Sequence, residues 1–399
     1  MIQRYLGNKY TLADAIVRTA RNYAPAGSLI CDAFTGTLAI ALAMKRADYR
    51  VAANDVNHFS SIYGRAFLTN STVPQLDVDA LLPRRRRANA HRGQTPEKAL
   101  RTVLDYLQSA RPTAVSAKFR RSHFFDHYTE LGARSTYVSS RGRSGRRRFF
   151  TPENGRQIDT VLGKIREWSQ TRRIDATATA LLSAIACDAV EKISNTQGTY
   201  HDFPRTTYDP RAFQRLTLHL PDFEALHGKR IDHIIGCGDS LDFVRSVPAH
   251  HVLYIDPPYN FRQYTAYYFM PNLICGYAEM DDVDEYFDDV RYVRGQNMRD
   301  DFKSTFCSAN TFMDSMELLI ERADAQVVML SYFDARNHWN NTNDAGNGIG
   351  IRKLTSFLRS SLFRRNSFRS HRFPRLNYQS YGGYRARRID EFLLVAEKR

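Results

Sequence analysis

The residues best suited to chemistry follow a short apolar run at 252–255 and read Asp256-Pro257-Pro258-Tyr259. Two consecutive prolines end a strand and fix φ, and although they offer no N–H groups their carbonyl oxygens remain as acceptors. These acceptors are held beside the Asp256 carboxylate and the Tyr259 ring. The arrangement suits a planar ligand with an NH2 group, such as N6 of adenine, because the acceptors bind the amino hydrogens while the ring stacks. The candidate catalytic residues are therefore Asp256, Pro257, Pro258 and Tyr259.

Asp-Pro-Pro-Tyr at the end of a strand resembles the signature of the amino-directed DNA methyltransferases, which methylate adenine N6 or cytosine N4. The resemblance implies that S-adenosylmethionine (AdoMet) is the methyl donor. In that family a Tyr-x-Gly-x-Lys segment ahead of the first strand helps to bind AdoMet. Tyr5, Gly7 and Lys9 stand in the matching positions, before a helix predicted at about 11–23.

A strand, a tight turn and a helix of the nucleotide-binding type follow at residues 28–46. The apolar strand reaches Asp32, Gly36 lets the backbone approach a ligand closely, and the helix is predicted at 38–46. A carboxylate and the N–H groups of a helix N-terminus can hold the ammonium and carboxylate of AdoMet. The family usually has a second glycine where this chain has Leu38, which leaves details of this loop open. The candidate contacts here are Asp32, Phe34 and Gly36.

Two more acidic residues are candidate cofactor contacts. Asp55 ends the second predicted strand, 50–54, where an acidic residue about twenty positions on can accept hydrogen bonds from both ribose hydroxyls. The competing interpretation of Asp55 is an exposed loop residue or a helix cap. In the family, a Gly-Asp pair just upstream of the catalytic strand contacts the adenine of AdoMet, and Asp239 occupies that position.

Charge and composition indicate the partner and the class of protein. The chain has 399 residues and a formal net charge of +15, and residues 84–148 contain 17 Lys or Arg against 4 Asp or Glu. A block of one sign fits a polyanion better than a solvated face, so double-stranded DNA is the predicted partner. Five scattered cysteines with no Cys-x-x-Cys pair argue against a zinc site or a disulfide framework. Without a membrane-length apolar run or a signal-peptide core, a cytoplasmic protein with no metal is expected.

The α/β pattern is lost over residues 71–228, where the sequence predicts an inserted DNA target-recognition region. Residues 1–70 and 229–399 form the predicted AdoMet-binding catalytic domain. The segment 137–150 is rich in Ser, Gly and Arg, so it cannot bury a core, yet it can order against phosphates. Within the insertion, a flexible basic loop is expected at 84–87 and helices at 97–108, 154–170 and 176–190. The candidate DNA-binding residues are Arg141, Arg143, Arg146, Arg147, Arg148 and Arg262.

Three further segments resemble one branch of the adenine methyltransferases: Asn-Thr-x-Gly-x-Tyr at 195–200, Lys-Ser-x-Phe-Cys at 303–307, and a strand ending in Ser331-Tyr332. Their order, with the cofactor half first and the catalytic half after a long insertion, is that of the alpha group. The resemblance implies an α/β fold with a Rossmann-like mixed sheet of the AdoMet-dependent methyltransferase type and an inserted, mostly helical and basic recognition region. Arginines between 364 and 388 indicate a second basic face.

Together these motifs predict a site-specific DNA adenine-N6 methyltransferase that flips its target adenine out of duplex DNA, as the modification enzyme of a restriction–modification system. The alternatives are a cytosine-N4 methyltransferase and a DNA-binding protein that has lost catalysis. RNA adenine methylation and protein glutamine methylation are disfavoured, whereas an orphan or phage enzyme would look the same. A cognate restriction endonuclease acting on the same site is an expected partner, and the enzyme is expected to act as a monomer.

Overall fold

The computed structural model describes residues 5–83, 94–196, 198–228, 232–341, 346–377 and 387–399. The chain forms two compact units, and each is assembled from three stretches of sequence. We call them the helical unit, Met1–Tyr5, Ile62–His227 and Thr265–Asp301, and the sheet unit, Leu6–Ser61, Gly228–Tyr264 and Phe302–Arg399. The expected basic loop at 84–87, Gln197 of the 195–200 motif and residues 384–386 of the second basic face lie outside the described residues.

The helices and strands are numbered in chain order. The helices are α1 Ala13–Ala20, α2 Ala39–Arg46, α3 His58–Tyr63, α4 Val78–Leu81, α5 Pro96–Ser109, α6 His123–Tyr128, α7 Pro152–Gln170, α8 Ala176–Ile193, α9 Ser240–Ser246, α10 Tyr264–Tyr267, α11 Phe269–Gly276, α12 Val283–Asp288, α13 Phe312–Arg322 and α14 Ile349–Phe357. The strands are β1 Leu29–Asp32, β2 Arg50–Asp55, β3 Thr136–Val138, β4 Ser144–Arg146, β5 Ile234–Cys237, β6 His250–Ile255, β7 Ala325–Phe333, β8 Arg369–Asn377 and β9 Arg387–Glu397. The helices predicted at 97–108, 154–170 and 176–190 are confirmed as α5, α7 and α8.

One mixed sheet organises the sheet unit, with the described strands in the order β5-β2-β1-β6-β7-β9-β8. The strands from β5 to β7 are parallel, and β9 runs antiparallel to both of its neighbours. Parallel strands are covered on both faces and therefore read as apolar runs, and every residue of β1 is buried. The predicted α/β fold with a mixed sheet is confirmed. Because the carboxyl ends of parallel strands meet at one edge, the residues that follow β1, β2, β5 and β6 share the edge where ligands bind in such sheets.

Apolar residues of the sheet and its helices make one core in the sheet unit. Leu253 and Ile255 of β6 pack in the same cluster as Val328 of β7 and Met316 and Leu319 of α13. Full burial of a side chain of this size contributes about 1.5–3 kcal/mol. The core therefore holds β6, and with it the segment that follows β6, in a fixed position.

Capped helices build the helical unit. The Thr151 side chain accepts a hydrogen bond from the Asn154 N–H ahead of α7, and Pro152 occupies the first turn, both of which favour a helix start. α8 begins in the same way at Asp175, whose carboxylate accepts from the Ala178 N–H. Most of α8 is buried, as expected for a helix that is apolar nearly all round.

The Ser/Gly/Arg segment differs from its prediction. Residues 136–146 form the hairpin β3–β4, and the following Phe149 and Phe150 are both fully buried. The expectation that 137–150 cannot bury a core is therefore wrong for its C-terminal end, where two aromatic side chains follow the arginines. No helix in the described part of the chain is long and apolar enough to cross a membrane.

Residues that follow the Asp-Pro-Pro-Tyr segment return to the helical unit. The stretch Thr265–Asp301 lies there, within the range 229–399 that the sequence assigns to the catalytic domain. The buried Arg166 of α7 donates to the carbonyls of Tyr277 and Asp281, each at 3.1 Å. Arg147 donates to the carbonyls of Tyr292 at 2.9 Å and Val293 at 3.0 Å. Two arginines thus fasten this stretch to the rest of the helical unit.

Candidate active site

The Asp-Pro-Pro-Tyr segment leaves the sheet at the carboxyl end of β6, between β1 and β7. Asp256 is half-buried, and the side chain of Tyr259 is 9% exposed. The Tyr259 ring contacts the ring of Tyr332 edge-on, with centroids 5.7 Å apart. The main-chain carbonyl of Tyr259 accepts a hydrogen bond from the His338 N–H at 2.9 Å. Packing and hydrogen bonding therefore fix the aromatic ring of the motif.

Lys9 lies against the motif and connects it to a glutamate of strand β9. Its Nζ is 2.9 Å from Asp256 Oδ1 and 2.9 Å from Glu391 Oε1, and its side chain is 3% exposed. The Glu391 contact is a close ion pair without the direction of a hydrogen bond. The other oxygen of Glu391 pairs with Arg375. We call Lys9, Arg375, Asp256 and Glu391 the Lys9 cluster. Its two cations and two carboxylates sum to no net charge.

The pKa values in the Lys9 cluster follow from burial opposed by pairing. Burial raises the pKa of Asp256 to about 6, while Lys9 holds it lower than burial alone would. Burial acts to lower the pKa of Lys9, but the carboxylates of Asp256 and Glu391 outweigh it and raise that pKa well above its usual value. Burial also acts to raise the pKa of Glu391, yet Lys9 and Arg375 bring it below its ordinary value. At neutral pH, Asp256 and Glu391 are therefore anionic and Lys9 is cationic.

Asp32 of β1 offers a binding position for a cation. Its side chain is 1% exposed, and its Oδ1 has no hydrogen-bond partner among the described residues. Burial raises the pKa of Asp32 to about 7. Because a buried carboxylate oxygen without a donor is costly, a bound ammonium would satisfy it. This environment fits the ammonium of AdoMet.

Asp55 at the end of β2 braces the turn after β1. Its oxygens accept from the Gly36 N–H and from the N–H and Nδ2 of Asn57, each at 2.9 Å. Gly36 has φ +50°, a conformation that glycine adopts without steric cost. These bonds leave acceptor capacity on the Asp55 carboxylate. Its contact with the ribose is therefore compatible with the structure and stays a prediction.

Leu38 explains the departure from the family pattern. It has φ +62° at the N-cap of α2, and its side chain is fully buried. The left-handed conformation costs an ordinary residue about 1–2 kcal/mol, which is why a glycine suits this position. Burial of a leucine side chain contributes about 1.5–3 kcal/mol and offsets that cost. The turn therefore keeps its shape without the second glycine.

The remaining predicted cofactor residues lie in different surroundings. Asp239 follows β5 and caps α9 by accepting from the Leu241 N–H at 2.9 Å. Phe34 is half-buried, with its ring edge-on to Phe306 at 5.0 Å. Gly7 accepts from Lys9 Nζ at 3.0 Å. Tyr5 belongs to the helical unit, where its ring stacks on Tyr268 at 4.5 Å.

The candidate DNA-binding arginines divide by exposure. Arg141 and Arg143 are exposed at the tip of the β3–β4 hairpin. Arg146 is also exposed and donates to the Glu130 carbonyl at 3.0 Å, and Arg148 pairs with the Glu130 carboxylate at 2.9 Å. Arg147 is 1% exposed. Its guanidinium is committed to main-chain carbonyls, so its predicted contact with DNA is replaced by a structural role.

Arg262 stands apart from the hairpin arginines. It lies in the sheet unit three residues after Tyr259, and it is half-buried. Its backbone N–H donates to Asn260 Oδ1 at 3.0 Å, and its carbonyl accepts from the thiol of Cys307. This places Arg262 on a fixed turn close in sequence to the catalytic segment.

An acidic segment offsets part of the basic block in the helical unit. Residues 281–289 contain six Asp or Glu. Arg121 pairs with Asp284 at 2.8 Å, and Arg134 pairs with Asp288. The charge excess counted along the sequence therefore overstates the positive charge available to a ligand.

Sequence reasoning missed Glu391 as a member of the site and treated Arg375 only as part of a basic face. A signal for Glu391 existed, since it is followed by the continuous apolar run Phe392-Leu393-Leu394-Val395, which is typical of a buried strand. A glutamate at such a position needs a charged partner. The identity of that partner could not be found from sequence, because Lys9 is more than 380 residues away along the chain.

Comparison with known proteins agrees with this geometry. Residues 5–280 match the family described as D12 class N6 adenine-specific DNA methyltransferase. The type II methyltransferase M.NlaIII of Neisseria lactamica is 27% identical over 331 residues, 82% of each chain. The type II methyltransferase M.FokI of Planomicrobium okeanokoites is 24% identical over 396 residues, which cover 99% of this chain and 52% of that protein. The modification methylase LlaI of Lactococcus lactis subsp. lactis is 27% identical over 69% of this chain and 38% of its own. Because the family match covers more than half of the chain, the protein belongs to the D12 class of N6 adenine-specific DNA methyltransferases.

Proposed function

We propose that the protein transfers a methyl group from AdoMet to N6 of an adenine that is flipped out of duplex DNA at a specific site. The observation that carries the proposal is the position of two carboxylates at one edge of the sheet. Asp32 pairs in register with Tyr254, which stands two residues before Asp256. Since neighbouring strands are about 4.8 Å apart, an ammonium at Asp32 and an amine at Asp256 would lie within the span of one small cofactor.

The catalytic segment would position and polarise the target amine. Asp256 and the Pro257 carbonyl accept the N6 hydrogens, and the Tyr259 ring stacks on the base. These hydrogen bonds draw the nitrogen lone pair out of conjugation and direct it at the methyl group. When bound, AdoMet supplies an electrophilic methyl. The N6 nitrogen would form its new bond to the methyl carbon as the bond from that carbon to sulfur breaks, with the electron pair staying on sulfur, and the N6 proton leaves to solvent. Positioning and electrostatics then provide the rate.

The other candidate residues divide between cofactor and DNA. Asp32 and the N–H groups at the start of α2 hold the charged end of AdoMet, while Asp55 and Asp239 accept from its ribose and adenine. Residues 71–228 serve as the recognition region. The DNA phosphates are bound by the exposed hairpin arginines Arg141, Arg143 and Arg146, by the half-buried Arg148 that follows the hairpin, and by Arg262.

The names of the relatives support a role in restriction and modification. Two of them are named type II methyltransferases, and a third is named a modification methylase. We extend that role to this chain, with a restriction endonuclease acting on the same DNA site as its partner. The enzyme would act as a monomer.

The test is transfer of tritium from labelled AdoMet to mixed-sequence duplex DNA, followed by nucleoside analysis. Label in N6-methyladenine is the expected result, and label in N4-methylcytosine would overturn the choice of base. Asp256→Ala should lower transfer by about 10²–10³-fold or more while AdoMet still binds. Asp242→Ala, at an exposed aspartate of α9, is the matched control and should keep full transfer.

A further inference from the structure

Glu391 is buried at the active site without any part in the proposed chemistry. It lies on β9, where it pairs in register with Phe333 of β7, so one strand, β7, separates its strand from β6, which leads to Asp256. Resting on the proposed function, we propose that Glu391 is a positioning residue for methyl transfer, acting through Lys9 to hold the Asp256 carboxylate in the orientation and charge state that the target amine requires.

The geometry of Lys9 carries this proposal. Its ammonium is at equal distance, 2.9 Å, from Asp256 and Glu391. A lysine paired with Asp256 alone would cancel much of the negative charge that the N6 hydrogens must meet. Shared between two carboxylates, Lys9 holds Asp256 in place and leaves it more of its charge. Structure alone gives little reason to keep such a group, because apolar residues can often replace a buried ion pair without loss.

Lys9 and Glu391 are expected to have opposite effects on the pKa of Asp256. The titratable and charged groups that face it are Lys9, Arg375, Glu391, Asp32, Tyr254 and Tyr259. Lys9 and Arg375 lower the pKa of Asp256, whereas Glu391 raises it. Loss of Lys9 should therefore move the titration of Asp256 to higher pH, and loss of Glu391 should move it to lower pH.

The experiment measures kcat against pH with the full chain at saturating AdoMet and DNA. In Lys9→Gln the acid limb should move up by about one pH unit, and in Glu391→Gln it should move down, by a smaller amount. Both variants should have a lower maximal kcat, and Glu391→Asp should keep the limb near its wild-type position. Asp314→Asn, at an exposed carboxylate of α13 in the same unit, is the control, with an unchanged profile.

A purely structural role predicts another result. Glu391→Gln would then lower kcat at every pH without moving the acid limb, and that outcome, or a shift in the same direction as Lys9→Gln, overturns the proposal. If Glu391→Gln does not fold, the Lys9→Gln/Glu391→Gln pair removes opposite charges together, and its limb should lie below that of Lys9→Gln alone. Wild-type protein that labels no DNA would overturn the proposed function itself, which separates the two failures.

A second inference comes from a groove of about 600 Å³ at the start of β8, away from the Lys9 cluster. Its described lining contains four arginines and no carboxylate: Leu358, Arg359, Arg364, Arg365, Asn366, Phe368 and Arg369. We call it the arginine groove. Register places it apart from the catalytic edge, because Glu391 pairs with Phe373 whereas Arg369 pairs with Val395.

Local contacts fix several of these arginines in the groove. The Arg359 guanidinium lies over the Phe368 ring at 4.8 Å, and Arg369 donates to the carbonyls of Asn366 and Phe368 at 2.9 and 2.8 Å. Arg364 pairs with Glu397 at 3.3 Å. Like charges held this close repel, and an anion that accepts from them removes the repulsion.

We infer that the arginine groove binds the phosphodiester backbone of DNA, in addition to the contacts of the proposed function. The test compares Arg359→Gln/Arg365→Gln with Arg50→Gln/Arg322→Gln, which removes two arginines of the same unit that pair with Asp232 and Asp242. Binding to a long mixed-sequence duplex is measured against salt. The slope of log affinity against log salt should become shallower by about 1.8 in the groove variant, about 0.9 for each phosphate that an arginine neutralises.

Three outcomes decide the second inference. A slope equal to that of the control variant overturns it. Displacement of DNA by inorganic phosphate at low concentration also overturns it, because the groove would then be a site for a small anion. Wild-type protein that binds no duplex DNA overturns the proposed function instead of the groove alone.

Discussion

The two units neutralise a buried cation in different ways. In the helical unit, Arg147 is 1% exposed and gives its hydrogens to main-chain carbonyls. In the sheet unit, Lys9 is 3% exposed and lies between two carboxylates. Carbonyls cannot take up a proton, so Arg147 fixes backbone at any pH. Carboxylates can, so Lys9 controls the charge state of an acid. The first arrangement serves architecture and the second serves chemistry.

The largest expected effect is the loss of stability in Arg147→Met. Several buried carbonyls would lose their donor, which costs about 3 kcal/mol or more, and this cost should be constant from about pH 5 to about pH 9 because no partner titrates there. Urea unfolding followed at Trp168, which is fully buried in the helical unit, measures it in a Trp339→Phe background. Arg146→Met, at the exposed neighbour, is the control, with a change within about 0.5 kcal/mol.

The next effect is a pH-dependent loss of stability in Lys9→Met. Without the ammonium, the folded-state pKa of Asp256, which is already above its unfolded value, rises further, and the pKa of Glu391, which is below its ordinary value, also rises. A group whose pKa rises on folding stabilises below its unfolded pKa, and that contribution is lost as pH increases through the folded pKa. The variant should therefore lose about 3 kcal/mol near pH 8 and less near pH 5. Unfolding followed at Trp339 measures this in a Trp168→Phe background.

The double variant Lys9→Met/Glu391→Gln makes the comparison sharper. It removes one of the two carboxylates that lose the Lys9 ammonium in Lys9→Met, the one that keeps Arg375 as a partner. Its loss of stability near pH 8 should therefore be smaller than that of Lys9→Met alone. If the stability loss of both variants does not change with pH, Lys9 has the same purely structural role as Arg147.

Asp32 extends the comparison to a buried charge whose Oδ1 has no partner among the described residues. At the proposed cofactor site, binding of the AdoMet ammonium would need the carboxylate form of Asp32, whose pKa is raised to about 7 by burial. Affinity for AdoMet should thus be constant above that pH and fall about tenfold for each pH unit below it. Asp32→Asn should bind weakly with no such pH dependence. Isothermal titration across the pH range checks both, and an equal pH dependence in the variant would remove Asp32 from the site.

The smallest effect concerns the exposed members of the hairpin. Arg141→Gln/Arg143→Gln should change stability by less than about 0.5 kcal/mol. The salt slope of DNA binding should become shallower by about 0.9 for each phosphate that is no longer neutralised. The fold should be unaltered, which circular dichroism checks. An unchanged slope would make this hairpin tip a solvated loop.

Local patterns predicted most of the elements. Apolar runs bounded by Gly, Pro or Asp gave β1, β2 and β6 to within a residue or two, because buried parallel strands leave a clear signal. The helices predicted at 97–108 and 154–170 agree with α5 and α7 to within two residues at each end. The Asp32, Asp55 and Asp256 positions at strand ends followed from the rule that parallel strands present their carboxyl ends at one edge.

Long-range pairing was beyond the sequence. Nothing near Arg147 distinguishes it from Arg146 or Arg148, since its burial depends on carbonyls more than 140 residues away. The same holds for Glu391 and Lys9. Charge counts along the chain also failed where Asp284 and Asp288 return to neutralise distant arginines. These contacts depend on the tertiary fold, and local sequence patterns do not reveal them.

The division of the helical unit into separate stretches has a consequence for inheritance and engineering. A transplant of residues 71–228 into another methyltransferase would leave Arg147 and Arg166 without the carbonyls of Tyr277, Asp281, Tyr292 and Val293. If residues 71–228 are the recognition region, as proposed, exchange of DNA specificity by recombination requires that Thr265–Asp301 be transferred together with the larger segment. The stretches Ile62–His227 and Thr265–Asp301 must therefore be exchanged together, although the segment that contains the Asp-Pro-Pro-Tyr motif lies between them in the chain.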